Sequence, residues 1–221
     1  MRGPLRRSLS SALATLAGLG LALASAACAT PTVRLAEGPR EYVAEDYDVV
    51  LRHWTREEEL VLSDEVDTVL TATATYESWD FRWAYVVRYA EDFRLTVDQR
   101  RFLLERSLAE SRQVHQFYVA VHAQKWAWSD LLADNPAWIV RLIDDRGNES
   151  VPVEIQAIKK PGALERSYFP YTNPWRRAYR VRFARQRADG RPAIAPEAKW
   201  FGLRFAGPQG NQELVWQIEP G

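Results

Sequence analysis

The sequence predicts a mainly β protein, an antiparallel immunoglobulin-like β-sandwich that carries an inserted helical hairpin. About eight short segments alternate apolar and polar residues, which is the period of a strand with one buried face. Clusters of Gly, Asp, Asn and Pro separate these segments and predict turns. Over residues 78–112 the apolar period changes from two residues to that of a helix. Short strands separated by regular turns are typical of a sandwich, and the helical stretch then forms an insertion between two strands.

The globular domain is predicted to begin at Glu41 with a short helix. Val43, Tyr47, Val50 and Trp54 recur at intervals of four, three and four residues and define one apolar helical face. Two strands are predicted to follow, at residues 58–62 and 65–76.

The insertion at residues 78–112 carries two helix start signals. Ser78 can cap a first helix, and Thr96-Val97-Asp98-Gln99 has the form of a capping box that opens a second. The two helices are expected to bury a shared apolar stripe against each other and the sheet. Its members are Phe81, Tyr85, Tyr89, Phe102, Leu104 and Leu108.

The remaining strands fall after the insertion and complete a single domain over residues 41–221. The spacing of Trp138 and the single cysteine do not match an antibody domain, so the prediction concerns architecture alone. The strands are predicted at Gln116–Ala123, Ala137–Ile143, Val151–Ile158, Ala178–Phe183, Trp200–Phe205 and Glu213–Ile218.

Composition excludes several classes of protein. The chain has 221 residues, 29 basic and 29 acidic side chains, one cysteine and 47% apolar residues. These values argue against a disordered tail, a collagen-like repeat, a disulfide scaffold and a protein with many membrane spans. Residues 1–27 contain three arginines and no acid, so 26 basic and 29 acidic groups remain after them. This slightly acidic remainder predicts no nucleic-acid partner.

The first 27 residues have the pattern of a secretory signal peptide. A short basic stretch, Met1–Arg7, precedes twenty uncharged residues, Ser8–Ala27. A retained membrane helix is the main alternative, because about 20 uncharged residues can span a bilayer. The many Ser, Gly, Thr and Ala residues make this stretch only weakly hydrophobic, which favours a cleaved signal.

The join at Cys28 resembles a bacterial lipoprotein precursor. The residues are Leu23-Ala24-Ser25-Ala26-Ala27-Cys28, and Ser25 departs from the Leu that the family prefers at that place. The resemblance implies that Cys28 is joined to a diacylglycerol, that cleavage occurs before it, and that its freed amine is acylated. Two or more acyl chains hold a protein firmly to a membrane. The membrane is therefore the expected partner of Cys28, and ordinary cleavage near Ala26 or Ala27 remains an alternative.

The lipoprotein resemblance also implies an address and a tether. In that family the residue after the cysteine influences whether the protein is sorted to the inner or the outer membrane, and Ala29 favours the outer membrane. Residues 28–40 show no periodicity and contain Pro and Gly, so they are expected to form a lipidated tether. A dozen extended residues reach up to about 40 Å.

Sequence motifs for catalysis and metal binding are missing. There is no Gly-x-Ser-x-Gly nucleophile motif, no HExxH and no paired-cysteine spacing, so neither a metal nor a cofactor is predicted. His53, His115 and His122 are expected to be surface or half-buried groups, with His115 and His122 on opposite faces of one strand. The acids from Asp144 to Glu149 are interpreted as a hairpin turn with solvated carboxylates.

The densest aromatic stretch, residues 168–179, contains the candidate binding surface Tyr171, Trp175 and Arg176. Rings beside arginines can stack on a sugar, a peptide strand or a partner protein. The alternative is that this stretch plugs the end of the sandwich. Trp126 and Trp128 are interpreted either as core residues or as a second exposed patch.

The sequence therefore predicts an exported, lipid-anchored cell-envelope domain that acts by binding or scaffolding and not as an enzyme. An envelope protein or a glycan is the expected partner. Two alternatives stand beside this hypothesis, an envelope carbohydrate-binding module that uses Tyr171, Trp175 and Arg176, and an envelope enzyme of an unrecognised type.

Overall fold

The computed structural model describes residues 31–61 and 68–220, and this part of the chain is mainly β with some helix. It contains ten strands and four α-helices within those residues. The strands are β1 Thr32–Val33, β2 Thr55–Val61, β3 Thr68–Tyr76, β4 Val114–Ala123, β5 Ile139–Asp144, β6 Glu149–Ser150, β7 Glu154–Ile158, β8 Arg177–Ala184, β9 Trp200–Gly207 and β10 Gly210–Ile218. The helices are α1 Tyr47–Trp54, α2 Trp79–Asp92, α3 Val97–Ser111 and α4 Ala163–Tyr168.

The strands form two five-stranded sheets. Sheet 1 has the order β1-β10-β9-β5-β6, and sheet 2 has the order β2-β3-β4-β8-β7. Neighbouring strands are antiparallel in both sheets except β1, which pairs in parallel with β10.

An aromatic core joins the two sheets. Tyr76 and Phe117 of sheet 2 face Phe201 and Trp216 of sheet 1, with ring centroids 5.1 Å apart for Tyr76–Phe201 and 5.5 Å apart for Phe117–Trp216. Trp216 also stacks on Phe201 and donates its indole N–H to the carbonyl oxygen of Trp54 at 2.9 Å. The large rings remove apolar area from water on both sheets at once, which is the main stabilising term for such a core.

The structure confirms the strands predicted from alternation. Each of the eight predicted segments overlaps one of the longer strands, with shifts of a few residues at the ends. Residues 62 and 65–67 of the predicted strands lie outside the described residues. The two-residue strands β1 and β6 are too short for any alternation, so the sequence carries no periodic signal for them.

The predicted apolar helix face is buried from Tyr47 onward. Tyr47, Val50 and Trp54 of α1 are buried in the core, whereas Val43 is exposed. Val43 comes before the short 3-10 turn at Ala44–Asp46 that leads into α1, so it is not on the helix face.

The helical hairpin lies between β3 and β4, and both predicted caps are present. The side chain of Ser78 accepts a hydrogen bond from the N–H of Phe81 at the start of α2. Thr96 and Gln99 form the reciprocal pair of a capping box at the start of α3. These bonds satisfy amide groups that have no partner inside the helix, which fixes where each helix begins.

The predicted burial of Phe102 is wrong, because this side chain is 67% exposed. The buried residues of α3 are Leu108 and Ser111. At 100° per residue, Phe102 lies about 160° around the helix from Leu104, on the side away from Leu108. The buried apolar stripe of α3 therefore contains fewer residues than predicted.

The hairpin and the segment after α4 cover the outer face of sheet 2. Tyr118 points away from the inter-sheet core, because its neighbour Phe117 points into it. On the outer face Tyr118 stacks on Phe169 with ring centroids 3.8 Å apart, and Phe169 in turn contacts Phe81 of α2. The central strands of sheet 2 are thus covered on both faces, which explains why β3 and β4 are almost wholly buried.

Residues 31–40, which the sequence assigns to a tether, are docked on the domain. Val33 is fully buried, and the β1 register pairs Thr32 with Gln217. Arg40 forms an ion pair with Asp80, and the indole of Trp79 donates to the carbonyl oxygen of Gly38 at 2.7 Å. One ion pair, one indole hydrogen bond and the buried Val33 hold residues 31–40 on the domain, although this stretch has no periodic pattern.

The predicted signal peptide, residues 1–27, and Cys28 lie outside the described residues. Among the described residues, the helices are too short or too polar to cross a membrane.

Candidate functional site

A groove lies at one end of sheet 2. It has a volume of about 580 Å³, which is within the usual range of about 300–1,000 Å³ for ligand sites. Three segments line it, namely the turn after β4, the end of β7 with the residues that follow it, and the stretch that leads into β8. We call it the aromatic groove. Its lining includes Trp126, Asp130, Lys159, Asn173, Arg176 and Arg177.

A hydrogen-bond network fixes the turn that forms one wall of the aromatic groove. The hydroxyl of Tyr179 donates to the carbonyl oxygen of Ser129 at 2.8 Å and accepts from the N–H of Leu131 at 3.2 Å. The Ser129 hydroxyl accepts from the N–H of Ala123 at 2.9 Å. Burial raises the pKa of Tyr179, so its hydroxyl keeps its proton and holds the wall at neutral pH.

Trp126 presents its ring at the groove and is 50% exposed. The guanidinium carbon of Arg177 lies 5.0 Å from the centroid of this indole, which is within the range of a cation–π contact. Arg177 is itself held by Asp130, since its Nη1 donates to Asp130 Oδ2 at 2.7 Å. The three side chains form a clamped aromatic platform with charged groups along its edge.

Arg176 lines the same groove and is fixed by groups on β2 and β3. Its Nη1 donates to Glu57 Oε2 at 2.8 Å and to the hydroxyl of Thr73. Burial would raise the pKa of Glu57, but hydrogen bonds from Thr73 and Arg176 outweigh it, and the pKa of Glu57 lies below its ordinary value. The ionised carboxylate therefore keeps Arg176 in place over the neutral pH range.

Tyr171, the first member of the predicted binding surface, is not among the groove-lining residues. Its hydroxyl bonds to that of Thr75 at 2.7 Å and donates to the carbonyl oxygen of Tyr118 at 3.3 Å. Its ring lies edge-on to Tyr118 and Phe169. In the structure Tyr171 packs within the outer layer over sheet 2, and its burial raises its pKa.

Trp175, the second member, has an exposed side chain, and its neighbours in the sequence line the groove. It is 75% exposed, while Pro174 and Arg176 on either side of it line the groove. Its backbone is anchored, because its N–H donates to Asn173 Oδ1 at 2.9 Å and its carbonyl oxygen lies 3.0 Å from His122 Nδ1. The structure therefore places Arg176 in the groove, Trp175 in solvent and Tyr171 half-buried in the outer layer over sheet 2.

Sequence reasoning missed most of the groove. Asp130, Lys159 and Arg177 are common charged residues in segments that are far apart in the chain, and no spacing rule joins them. Trp126 did carry a signal, as one of two tryptophans two residues apart. The structure assigns it to the exposed alternative, whereas Trp128 is half-buried and packs against the core.

The histidines His115 and His122 differ in their surroundings. His115 and His122 lie on opposite faces of β4, as predicted, but His115 is fully buried and not half-buried. Its Nδ1 is 2.9 Å from the hydroxyl of Tyr76, and burial lowers the pKa of His115 well below its ordinary value. Within the described part of the chain, no three His, Cys, Asp or Glu side chains converge as metal ligands would.

The acidic turn after β5 is built around one buried carboxylate. The turn itself is confirmed, but Asp144 is buried and not solvated. Its oxygens accept from the N–H groups of Arg146 at 3.0 Å, Asn148 at 3.0 Å and Ala195 at 2.9 Å, and from the side-chain amide of Asn148 at 2.8 Å. These donors satisfy the carboxylate within the fold, so its role here is structural.

In comparisons with known proteins, no family model, no curated protein and no solved structure matches the chain.

Proposed function

We propose that this chain is a lipid-anchored, non-catalytic binding domain of the bacterial cell envelope, and that its aromatic groove binds a glycan. The observation that carries the proposal is the half-exposed Trp126 ring, held by Arg177 and Asp130 along a groove of about 580 Å³. A clamped ring of this kind is ready to bind without an ordering step, which favours affinity.

The chemistry of the groove suits a sugar chain. The apolar face of a pyranose ring can lie on an indole, and its hydroxyls need donors and acceptors around that platform. Asn173 and Asp130 offer oxygen or nitrogen atoms for such bonds, and Lys159, Arg176 and Arg177 add positive charge. Three cationic side chains against Asp130 and the Glu57 that pairs with Arg176 leave a net positive charge, which favours a glycan that contains acidic sugars.

Replacing Trp126 by alanine should weaken glycan binding by about tenfold or more, because a central aromatic anchor carries much of the binding free energy at such sites. The measurement is titration calorimetry of the full chain in detergent with acidic cell-wall oligosaccharides, and with a neutral glucan for comparison.

Phe102→Ala is the matched control, since Phe102 is also an exposed ring but lies on α3 outside the groove. Its affinity should equal that of the unaltered chain. Trp175→Ala separates the groove from the neighbouring exposed ring. The groove proposal fails if no oligosaccharide binds, or if Trp175→Ala abolishes binding while Trp126→Ala leaves it unchanged.

The lipid anchor rests on the sequence around Cys28, which resembles the processing site of bacterial lipoproteins. Replacing Cys28 by alanine should prevent acylation, because only a thiol can form the thioether to diacylglycerol. The altered chain should leave the membrane fraction or accumulate as an unprocessed precursor. Intact mass spectrometry of the membrane-extracted unaltered chain should show a mass above that of residues 28–221 by the added acyl groups.

Ala29→Ser controls for the change next to the cleavage site, because it keeps the thiol of Cys28. It should retain the acyl mass. Recovery of the unaltered chain as a water-soluble product with a bare thiol, or with no Cys28, contradicts the anchor. Density fractionation of the two membranes tests the outer-membrane location that Ala29 favours.

The immunoglobulin-like arrangement of the two sheets is part of this proposal. Two five-stranded sheets with antiparallel neighbours and a shared aromatic core support it. The parallel β1–β10 pair and the helical hairpin between β3 and β4 are departures from a plain antiparallel sandwich.

A further inference from the structure

A second cavity, apart from the aromatic groove, lies between the helical hairpin and the outer face of sheet 2. Its volume is about 290 Å³, at the lower end of the usual range for small-molecule sites. One part of its lining is apolar, formed by Phe81, Tyr85, Leu103 and Phe169. The other part is charged and comes from α2, α3, β8 and the residue after β3. We call this space the hairpin cavity.

A hydrogen-bond network builds the charged part of the hairpin cavity. Gln116 joins two of its groups, donating to Glu77 Oε2 and accepting from Arg182 Nε, both at 2.6 Å. Glu110 of α3 accepts from Arg82 Nη1 at 2.9 Å and also pairs with Arg182. Burial would raise the pKa of Glu110, but the hydrogen bond and charge of Arg82 and the charge of Arg182 outweigh it and lower that pKa. The network links the hairpin to the sheet with ionised groups.

Two polar atoms of this network have no hydrogen-bond partner among the described residues. They are Oε1 of Glu77 and Nη2 of Arg82, and both are inaccessible to solvent although their side chains line the cavity. The side chains of Glu77 and Arg82 are 10% and 4% exposed. The ion pairs that these two atoms make are too long for hydrogen bonds, at 3.9 Å from Glu77 Oε1 to Arg180 Nε and 4.0 Å from Arg82 Nη2 to Glu77 Oε2. Buried polar atoms without partners are rare in folded proteins and call for an explanation.

The charged side chains that line the hairpin cavity favour the binding of an anion. Four arginines and two glutamates line the cavity, which gives a formal charge of +2. Arg106 of α3 is exposed, and its guanidinium makes neither a hydrogen bond nor an ion pair within the described part of the chain. An incoming carboxylate can accept hydrogen bonds from guanidinium groups in a planar, two-pronged geometry. Oε1 of Glu77, by contrast, is a hydrogen-bond acceptor, so its missing partner must be a donor.

We propose that the hairpin cavity binds a small carboxylate that carries a hydroxyl or ammonium donor on the neighbouring carbon atom. The carboxylate of this ligand faces Arg82, Arg106 and Arg180, and its donor faces Oε1 of Glu77. Binding includes a rotation of the Glu77 and Arg82 side chains towards the cavity, because both unpartnered atoms are inaccessible before the ligand enters. The carbon skeleton lies against Tyr85 and Phe169. A single ligand of this class satisfies both buried atoms, which neither a simple anion nor an apolar molecule does.

Titration calorimetry of the full chain in detergent at low salt tests this assignment. The probes are L-malate, which has a hydroxyl donor, L-glutamate, which has an ammonium donor, and succinate, which has neither. Malate or glutamate should bind at one saturable site, and the better of them tells which donor is used. Succinate should bind at least about tenfold more weakly, because it leaves the acceptor of Glu77 unpaired.

Four variants check the roles of the residues. Arg106→Gln should weaken binding by about tenfold, and Arg101→Gln, an exposed arginine on the same helix outside the cavity, should not. Glu77→Gln should reduce the preference for malate over succinate. If Glu77→Gln does not fold, the comparison of ligand affinity between Arg106→Gln and Arg101→Gln still tests the proposal. Trp126→Ala should leave this binding unchanged, which separates it from the groove.

Four results would overturn the proposal. They are no saturable binding of malate or glutamate, succinate binding as tight as malate binding, inorganic phosphate binding as tight as either, and an Arg106→Gln variant with unchanged affinity.

Discussion

Replacing Trp216 by alanine should lower the free energy of unfolding by about 3–5 kcal/mol, the range found for large aromatic residues removed from cores. Trp216 is fully buried where the two sheets meet and contacts Phe117 and Phe201. The substitution removes these contacts, leaves a cavity and deprives the carbonyl oxygen of Trp54 of the indole N–H. Urea denaturation followed by far-ultraviolet circular dichroism measures the loss without relying on tryptophan fluorescence.

Trp175→Ala is the control for this prediction, because it removes the same side chain from a position that is 75% exposed. Its free energy of unfolding should stay within about 0.5 kcal/mol of the unaltered chain. Equal losses in the two variants would mean that the inter-sheet core does not have the structure described.

Replacing Asp144 by alanine should lower the free energy of unfolding by about 3 kcal/mol. The carboxylate accepts three backbone N–H groups and the side-chain amide of Asn148, so its removal leaves several donors in a buried turn without a partner. Asp98→Ala, at an exposed aspartate in the first turn of α3, should change stability by no more than about 0.5 kcal/mol. Urea denaturation at neutral pH gives both values, and similar losses would contradict the role assigned to Asp144.

The same carboxylate makes stability depend on pH in acid. Burial would raise the pKa of Asp144, but the hydrogen bonds from Ala195, Asn148 and Arg146 outweigh it and lower that pKa below its ordinary value. A group with a lowered pKa in the folded state stabilises the fold fully above its unfolded pKa, which is about 4 for aspartate. That contribution is lost as the pH falls through the folded pKa. As the pH falls below about 4, the unaltered chain should therefore lose stability more steeply than Asp144→Asn.

Local patterns in the sequence predict most of the secondary structure. A strand with one face in the core alternates apolar and polar residues, and the caps at Ser78 and Thr96 act within one helical turn, so both signals lie in a few consecutive residues. Phe102 shows where this reasoning fails. Its place in the chain fits an apolar stripe, but its angle around α3 puts it in solvent.

The two candidate sites depend on strand register, which local patterns do not contain. Gln116 lies opposite Arg182 because β4 and β8 pair in that register, and this pairing brings Arg182 to Glu110. Arg177 reaches Trp126 through the same pair of strands. Residues from distant segments meet only after the sheet has formed, so no spacing in the chain announces either site.

If Cys28 carries the proposed lipid, the docking of residues 31–40 limits how far from a bilayer this domain can work. From Cys28 to Thr32, where β1 begins, the chain spans at most about 14 Å when fully extended. A lipid on Cys28 would therefore keep the β1–β10 edge close to the headgroups, and the domain could not search the space beyond. On the proposed anchoring, the ligand of this domain would have to arrive at the membrane surface.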